Sequence, residues 1–283
     1  MLTTIETIAA LRHTLAPWRT QSLAFVPTMG NLHAGHLALV QEARVRAKRV
    51  VVSLFVNPTQ FGPTEDYAAY PRTRERDLAL LTEAGADLVF VPSVEEIYPH
   101  GQAQTNRTRV TVSGLNDLLC GATRPLHFDG VATVVTLLLN IVQPHLALFG
   151  EKDFQQCLVV RRLVADLCMP VEIVTCPTVR EADGLAMSSR NGYLSAEERY
   201  RAPVLYRTLR AIQADLAMGN TDYTHLEDRG SRVLLAAGLQ PEYCVIRRAI
   251  DLTTPQPGDR PLVVLAAVRL GRTRLIDNVQ VLL

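Results

Sequence analysis

The chain has few cysteines and none in Cys-x-x-Cys spacing: Cys120, Cys157, Cys168, Cys176 and Cys244 are scattered along it. An odd, dispersed set fits neither a secreted disulfide framework nor a zinc knuckle and points to a reducing compartment. Long hydrophobic runs are also missing. The most apolar stretch, 131–142, is interrupted by Thr133, Thr136 and Asn140 and is too short to cross a bilayer. The N-terminal stretch through Pro17 carries Glu6, Arg12 and His13, so it lacks the apolar block of a signal peptide. Charge of one sign is lacking as well. Twenty-nine Lys+Arg against 28 Asp+Glu leave +1, which argues against a broad nucleic-acid surface. The expectation is a cytoplasmic protein with neither a membrane nor a nucleic-acid partner.

What is present suffices for a core. The 283 residues are 48% hydrophobic and 20% charged, close to globular averages. A chain of this length buries about 75% of its unfolded surface without disulfides. Short apolar or β-branched runs at 23–26, 50–56, 88–91, 146–149 and 171–175 alternate with helical patterns at 37–48, 73–84, 131–142 and 154–167. Continuous apolar strands spaced by helices predict a Rossmann-like α/β fold, a doubly wound parallel sheet with ligands beyond the carboxyl ends of its strands. The polar segment 101–111 reads as an excursion, with one extra strand at 109–112.

After Leu194 the pattern changes. Ser195 followed by Glu197 and Glu198 reads as an N-cap opening a helix to about 217, which Pro203 should kink or restart. Thr221 or Asp222 caps a second helix ending near Gly238, and strands follow at 243–247, 262–269 and 274–279. The chain thus divides into residues 1–180, the doubly wound domain, and 181–283, a smaller α+β domain.

The strongest local signal is Pro27-Thr28-Met29-Gly30-Asn31-Leu32-His33-Ala34-Gly35-His36, directly after the strand at 23–26. A strand, a glycine-bearing turn and a helix start aim backbone N–H groups at an anion. His33 and His36 share a helix face and can both reach a phosphate, and Gly35 admits a flat nucleotide close to the backbone. A surface histidine pair is the ordinary alternative for an isolated H-x-x-H, and the zinc-type H-E-x-x-H pattern is absent.

This stretch resembles the HIGH-type signature of nucleotidyltransferases and class I aminoacyl-tRNA synthetases. Three further blocks narrow the resemblance: Val56-Asn57-Pro58-Thr59-Gln60-Phe61, Phe149-Gly150-Glu151-Lys152-Asp153-Phe154-Gln155-Gln156 and Met187-Ser188-Ser189-Arg190-Asn191. With Tyr70-Pro71-Arg72-Thr73 they closely resemble the pantothenate synthetase family, the pantoate–β-alanine ligases, in matching order as far as Leu194. Beyond that point only the general pattern matches.

The resemblance implies a two-step reaction. The carboxylate of (R)-pantoate attacks the α-phosphorus of ATP, giving pantoyl adenylate and pyrophosphate. The amine of β-alanine then attacks the acyl carbon, giving pantothenate and AMP. A carboxylate is already ionised at neutral pH, so the first step needs charge neutralisation from placed donors and Mg²⁺ rather than a base. By similarity His33 and His36 contact phosphates, with His36 protonating or stabilising the departing pyrophosphate from a pKa near working pH. Lys152 sits at the α-phosphate, and Asp153 accepts from the ribose or orients the lysine. Gly150 and Glu151 complete that block. Ser188, Ser189 and Arg190 occupy the place of a KMSKS-like loop on the β- and γ-phosphates, Arg190 by its guanidinium fork. Met187 and Val179 contribute backbone contacts to adenine. Gln60 and Gln156 hold pantoate, Gln60 also lies near β-alanine, and Asn57 joins the phosphate or β-alanine side. No protein ligands for a metal are assigned.

The block Arg124-Pro125-Leu126-His127-Phe128-Asp129-Gly130-Val131 departs from the family pattern, with leucine at 126 where glycine is expected. A positive φ there would strain the turn, and Arg124 is accordingly left outside the core site. The resemblance further implies a homodimer. Because an acyl adenylate hydrolyses readily, closure of the second domain should exclude water. Identical scattering profiles with and without ATP plus pantoate would count against such closure. Three other readings compete: a nucleotidyltransferase acting on a phosphorylated acceptor, a tRNA synthetase, and an inactive relative that binds adenine nucleotide. The glutamines at 60 and 156, the absence of an anticodon-type domain and the presence of His33, His36 and Lys152 weigh against them in turn.

Overall fold

The computed structural model describes residues 2–63, 65–99 and 108–281. In chain order it contains β1 (Thr3–Ile5), α1 (Ile8–Leu15), β2 (Leu23–Thr28), α2 (Ala34–Arg46), β3 (Arg49–Leu54), α3 (Arg74–Glu83), β4 (Leu88–Phe90) and α4 (Val94–Ile97). Next come α5 (Cys120–Thr123), α6 (His127–Val142), β5 (Leu146–Gly150), α7 (Phe154–Asp166) and β6 (Glu172–Cys176). The chain continues with α8 (Ala196–Arg201), α9 (Val204–Ala217), α10 (Tyr223–Ala236), β7 (Gln240–Arg248), β8 (Leu262–Leu270) and β9 (Thr273–Val281).

Strands β1 to β6 form one parallel sheet in the order β1-β4-β3-β2-β5-β6. Both faces are covered, which explains why its strands read as unbroken apolar runs. Phe25, Val51 and Phe90 face α1, α6 and α7, while Ala24, Val26, Val50 and Val52 face α2 and α3. The chain leaves β2 on one side through β3 and β4, then returns to β5 on the other. The carboxyl ends of β2 and β5 therefore flank the switch point where such sheets open a crevice.

Strands β7, β8 and β9 form a separate antiparallel sheet. The continuous apolar sequence of β8 has the same cause as that of the parallel strands. Leu262, Val264, Ala266 and Val268 pack under α9 and α10, while Val263 and Leu265 join the core of α6 and α7. The two sheets thus share apolar packing through β8.

Pro203 stops α8 and caps α9, as its missing N–H requires. Asp222 caps α10 by accepting the His225 N–H. The extra strand expected at 109–112 does not form. Val112 is buried and the Val110 N–H donates to Thr133 Oγ1, so side-chain anchoring replaces a ladder. The rest of that polar excursion, 101–107, lies outside the described residues. Strand β1 was not expected, since three residues with two threonines carry no readable period.

Candidate active site

A cavity of about 240 Å³ opens at the switch point between β2 and β5. It brings together Met29, His33, Gly35 and His36 after β2, Asn57 and Gln60 after β3, and Gly150, Lys152, Asp153 and Gln156 after β5. Val179, Met187, Ser188, Ser189 and Arg190 line it from the segment between the two sheets. A second cavity of about 610 Å³ shares Lys152, Asp153, Ser188 and Arg190 and continues to β9. Gly30, Asn31, Leu32, Ala34 and Glu151, also expected in the site, do not line the first cavity.

The loop after β2 is not an open anion nest. Gly30 and Asn31 take positive φ values of 80° and 50°, turning the chain back on itself. The Gly30 N–H donates to Thr28 Oγ1, and those of Asn31 and Leu32 donate to the two oxygens of Asp77 at 2.8 Å each. Asp77 is 1% exposed on α3 and also accepts from Thr73 Oγ1. These N–H groups are spent on Asp77, and Leu32 is core. What the loop offers the cavity is its imidazoles.

Those imidazoles cap their own helix. His33 Nδ1 accepts the Gly35 N–H, and the His33 N–H donates to His36 Nδ1 at 3.4 Å. Both Nδ1 atoms act as acceptors, so both rings carry their proton on Nε2. The rings lie 4.1 Å apart between centroids. A Cβ on Gly35 would stand 2.9 Å from the His33 ring, so the glycine makes room for the capping histidine. Burial, with Lys152 nearby, pushes His33 down to about 4. Burial, then His33 and Lys152, pushes His36 down to about 3. The expectation of a histidine titrating near neutral pH is thus corrected: without ligand both are neutral Nε2–H donors.

Lys152 and Asp153 stand on the turn between β5 and α7, with Nζ 3.8 Å from Asp153 Oδ2. The side chain of Glu151 turns away, accepting from Thr175 Oγ1 and Gln280 Nε2. Across the cavity, Arg190 directs its fork at Asp66, with Nε and Nη2 at 3.1 and 2.9 Å from the carboxylate oxygens. Ser189 Oγ donates to the Asn31 carbonyl, and Ser188 Oγ accepts the Arg190 N–H. To grip a phosphate the Arg190 fork must exchange Asp66 for it. The Met187 N–H donates to the Val179 carbonyl, and among the described residues the Val179 N–H and the Met187 carbonyl have no backbone partner.

Asn57 lines the cavity but is fully engaged. Its amide donates to Gln60 Oε1 and the Gly130 carbonyl, while its oxygen accepts from Tyr98 and Thr59. It is a scaffold for Gln60 rather than an open hydrogen-bonding group. Gln60 Nε2 rests 3.0 Å from Met29 Sδ. Among the described residues the Gln156 side chain makes no hydrogen bond, which leaves its amide for a ligand.

Arg124 belongs at the cavity despite Leu126. It pairs with Glu65 through two bonds of 2.6 Å and donates to His127 Nε2 at 3.0 Å. His127 Nδ1 in turn donates to the Gln60 carbonyl at 2.8 Å. Burial, then the Arg124 charge, pushes His127 down to about 4. Leu126 adopts the positive φ of 66° that its sequence context implied, and it is exposed. Sequence reasoning missed Glu65, Asp66 and Asp77. The signal for Asp77 was its phase: it lies one turn before Leu81 on the buried stripe of α3.

A parallel sheet with paired helix-capping histidines at its switch point, facing a lysine turn and a serine–arginine loop, defines an ATP-using enzyme of the HIGH-motif class. A family model described as pantoate-beta-alanine ligase matches residues 3–280, and the chain belongs to that family. Pantothenate synthetase of Pseudomonas aeruginosa is 55% identical over 282 residues, covering 99% of each chain. The Stutzerimonas stutzeri protein of the same name is 56% identical, covering 98% of this chain and 97% of its own. The crystal structure of pantothenate synthetase from Thermus thermophilus aligns with a TM-score of 0.93 at 50% identity, covering 99% of this chain and 100% of that one. Pantoate-beta-alanine ligase from Francisella tularensis, complexed with beta-gamma ATP and beta-alanine, aligns with a TM-score of 0.83 at 32% identity, over 99% and 97%.

Proposed function

We propose that the chain condenses (R)-pantoate with β-alanine at the expense of ATP, through pantoyl adenylate bound in the cavity at the switch point. The observation that carries this reading is the meeting of His33, His36 and Lys152 with the free amide of Gln156 in one cavity. In the first step a pantoate carboxylate oxygen bonds to the α-phosphorus and the β,γ-pyrophosphate leaves. Lys152 and the two Nε2–H donors face the charge that develops, and their geometry is set before substrate arrives. Ser188, Ser189 and Arg190 hold the β- and γ-phosphates once Arg190 leaves Asp66. Gln60 and Gln156 orient pantoate. In the second step the free amine of β-alanine attacks the acyl carbon, AMP leaves, and the amine proton passes to solvent.

Among the described residues no group of three potential metal ligands occurs. Mg²⁺ fits here as part of the substrate, arriving on the triphosphate oxygens it prefers. No helix among the described residues is long and apolar enough to cross a membrane. All five cysteines are free, in keeping with a reducing cytoplasm. The family resemblance supports a homodimer and a functional division near residue 180, with 181–283 closing over the site.

The experiment follows ATP consumption with Mg²⁺, omitting pantoate and β-alanine in turn and resolving AMP from ADP. Multiple turnovers to AMP and pyrophosphate only with both acceptors are expected. Formation of ADP would mean phosphoryl transfer and end the adenylate reading.

A further inference from the structure

Strand β9 buries two adjacent polar side chains between Ile276 and Val279, Asp277 at 3% and Asn278 at 5% exposure. Neighbouring strand residues point to opposite faces, so the pair can reach two different elements. Asn278 Nδ2 donates to the carbonyls of Glu151 and Lys152 at 2.8 and 3.0 Å, pinning the backbone of the lysine turn. Asp277 accepts from Arg180 Nη1 and Nη2 at 2.6 and 2.9 Å.

Arg180 lies at the root of the 188–190 loop. It bridges Ala186 through the backbone, donates to the Gly184 carbonyl at 3.2 Å and stacks 3.8 Å over the Tyr206 ring. Its guanidinium also donates to the Asn278 carbonyl at 3.3 Å, and the Asn278 N–H donates to Asp277 Oδ1 at 2.8 Å. Two consecutive residues of one strand thus brace each other and tie down both phosphate-facing segments. Apolar residues would fill this space at lower desolvation cost, so what the buried ion pair returns is fixed geometry.

We propose that Asp277 and Asn278 are positioning residues for the adenylation step, setting the spacing between Lys152 and the Ser188–Arg190 loop across the triphosphate. The proposal rests on the assignment of those two segments to the phosphates. Neither side chain lines the first cavity, and Asp277 borders the second with its carboxylate engaged by Arg180, so the pair acts through Lys152 and Arg180. Small misplacements of a phosphate-facing group are costly, about 10²-fold for a shift near 1 Å.

The test measures pantoate-dependent exchange of pyrophosphate into ATP alongside aminolysis of preformed pantoyl adenylate by β-alanine. Asn278→Ala is expected to slow exchange roughly tenfold to a hundredfold and to leave aminolysis and the KM for β-alanine within about twofold. Asn278→Ser, which retains one donor, should fall between, and it carries the test if the alanine variant folds poorly. In a Lys152→Ala background, Asn278→Ala should add no further loss, because the asparagine acts through the lysine. Equal slowing of both partial reactions, or full additivity with Lys152→Ala, would make the role merely structural and overturn the proposal. Exchange unaffected by Asn278→Ala while Lys152→Ala abolishes it would overturn the positioning role alone. Wild-type exchange by Lys152→Ala would sink the phosphate-site assignment and this proposal with it.

Discussion

Of the two walls that face each other across the cavity, the His33–His36 wall is tied by hydrogen bonds to its own backbone and, through its loop, to the buried Asp77. The Ser188–Arg190 wall instead borrows its partners, the Asp66 carboxylate and the Asn31 carbonyl. The first is finished before any ligand arrives. The second holds a guanidinium on a carboxylate, which a phosphate would replace in the proposed reaction. A fixed wall is suited to charge that develops in the transition state, whereas an exchangeable one is suited to binding and release. Substitutions in the first should therefore act on kcat, and substitutions around the second on KM.

The largest effect is expected at the lysine turn facing the histidines, whose carbonyls Asn278 fixes in advance of any ligand. Lys152→Ala should lower kcat for adenylation by about 10²–10³, or roughly 2.7–4 kcal/mol of barrier. Steady-state rates with saturating ATP check this, and a change confined to KM would erase the distinction between the walls. Acid should act through stability, at the His33–His36 wall and at His127. Folding lowers the pKa of His33, His36 and His127 from 6.5 to about 4, 3 and 4. The unfolded chain then binds more protons than the native one below its own value near 6.5. Stability is complete above that pH and falls as the medium is acidified towards 4, by about 1.4 kcal/mol for each unit of a fully expressed shift. Urea unfolding midpoints between pH 7 and 4 measure the fall, and a flat profile would contradict the neutral-histidine wall.

Asp77→Asn keeps the shape but removes the charge that receives two backbone N–H groups. A cost of about 1.5–3 kcal/mol in stability is expected, with a lower kcat and little change in the KM for ATP. An unchanged unfolding midpoint would show that the loop holds itself. Leu126→Gly is the control. It relieves a side chain from left-handed backbone outside both walls and should stabilise the protein by about 0.5–1 kcal/mol without altering kcat. The smallest effect is reserved for the exchangeable wall. Asp66→Asn weakens the competitor for Arg190 and should lower the KM for ATP by about two- to fivefold, under about 1 kcal/mol. A raised KM would mean that Asp66 organises Arg190 rather than competing for it.

Much of this arrangement was legible in the sequence because burial on both faces writes itself into strands as continuous apolar runs. The restart at Pro203 and the strain at Leu126 were legible for equally local reasons. The site was less so. Gln155 and Gln156 are adjacent and chemically identical, yet Gln155 is buried, bonding Leu115, Leu118 and Cys120, while Gln156 faces the cavity. Only helix phase separates them. Asn57 looked like a ligand group and is spent on Tyr98, Thr59 and Gly130. The N–H groups of Asn31 and Leu32 looked free and belong to Asp77, which stands on a different helix 46 residues beyond Asn31. Long-range partners of this kind leave no mark in local spacing. A lone acidic residue on an apolar stripe, as at Asp77, or two consecutive polar residues between apolar ones, as at Asp277 and Asn278, is the trace they do leave.

The central claim is an adenylate formed before the amine acts. Labelled pyrophosphate should exchange into ATP when the enzyme is given Mg²⁺ and pantoate without β-alanine, and should not exchange when pantoate is left out. Exchange that requires β-alanine would mean that no adenylate forms on its own, and would contradict the account.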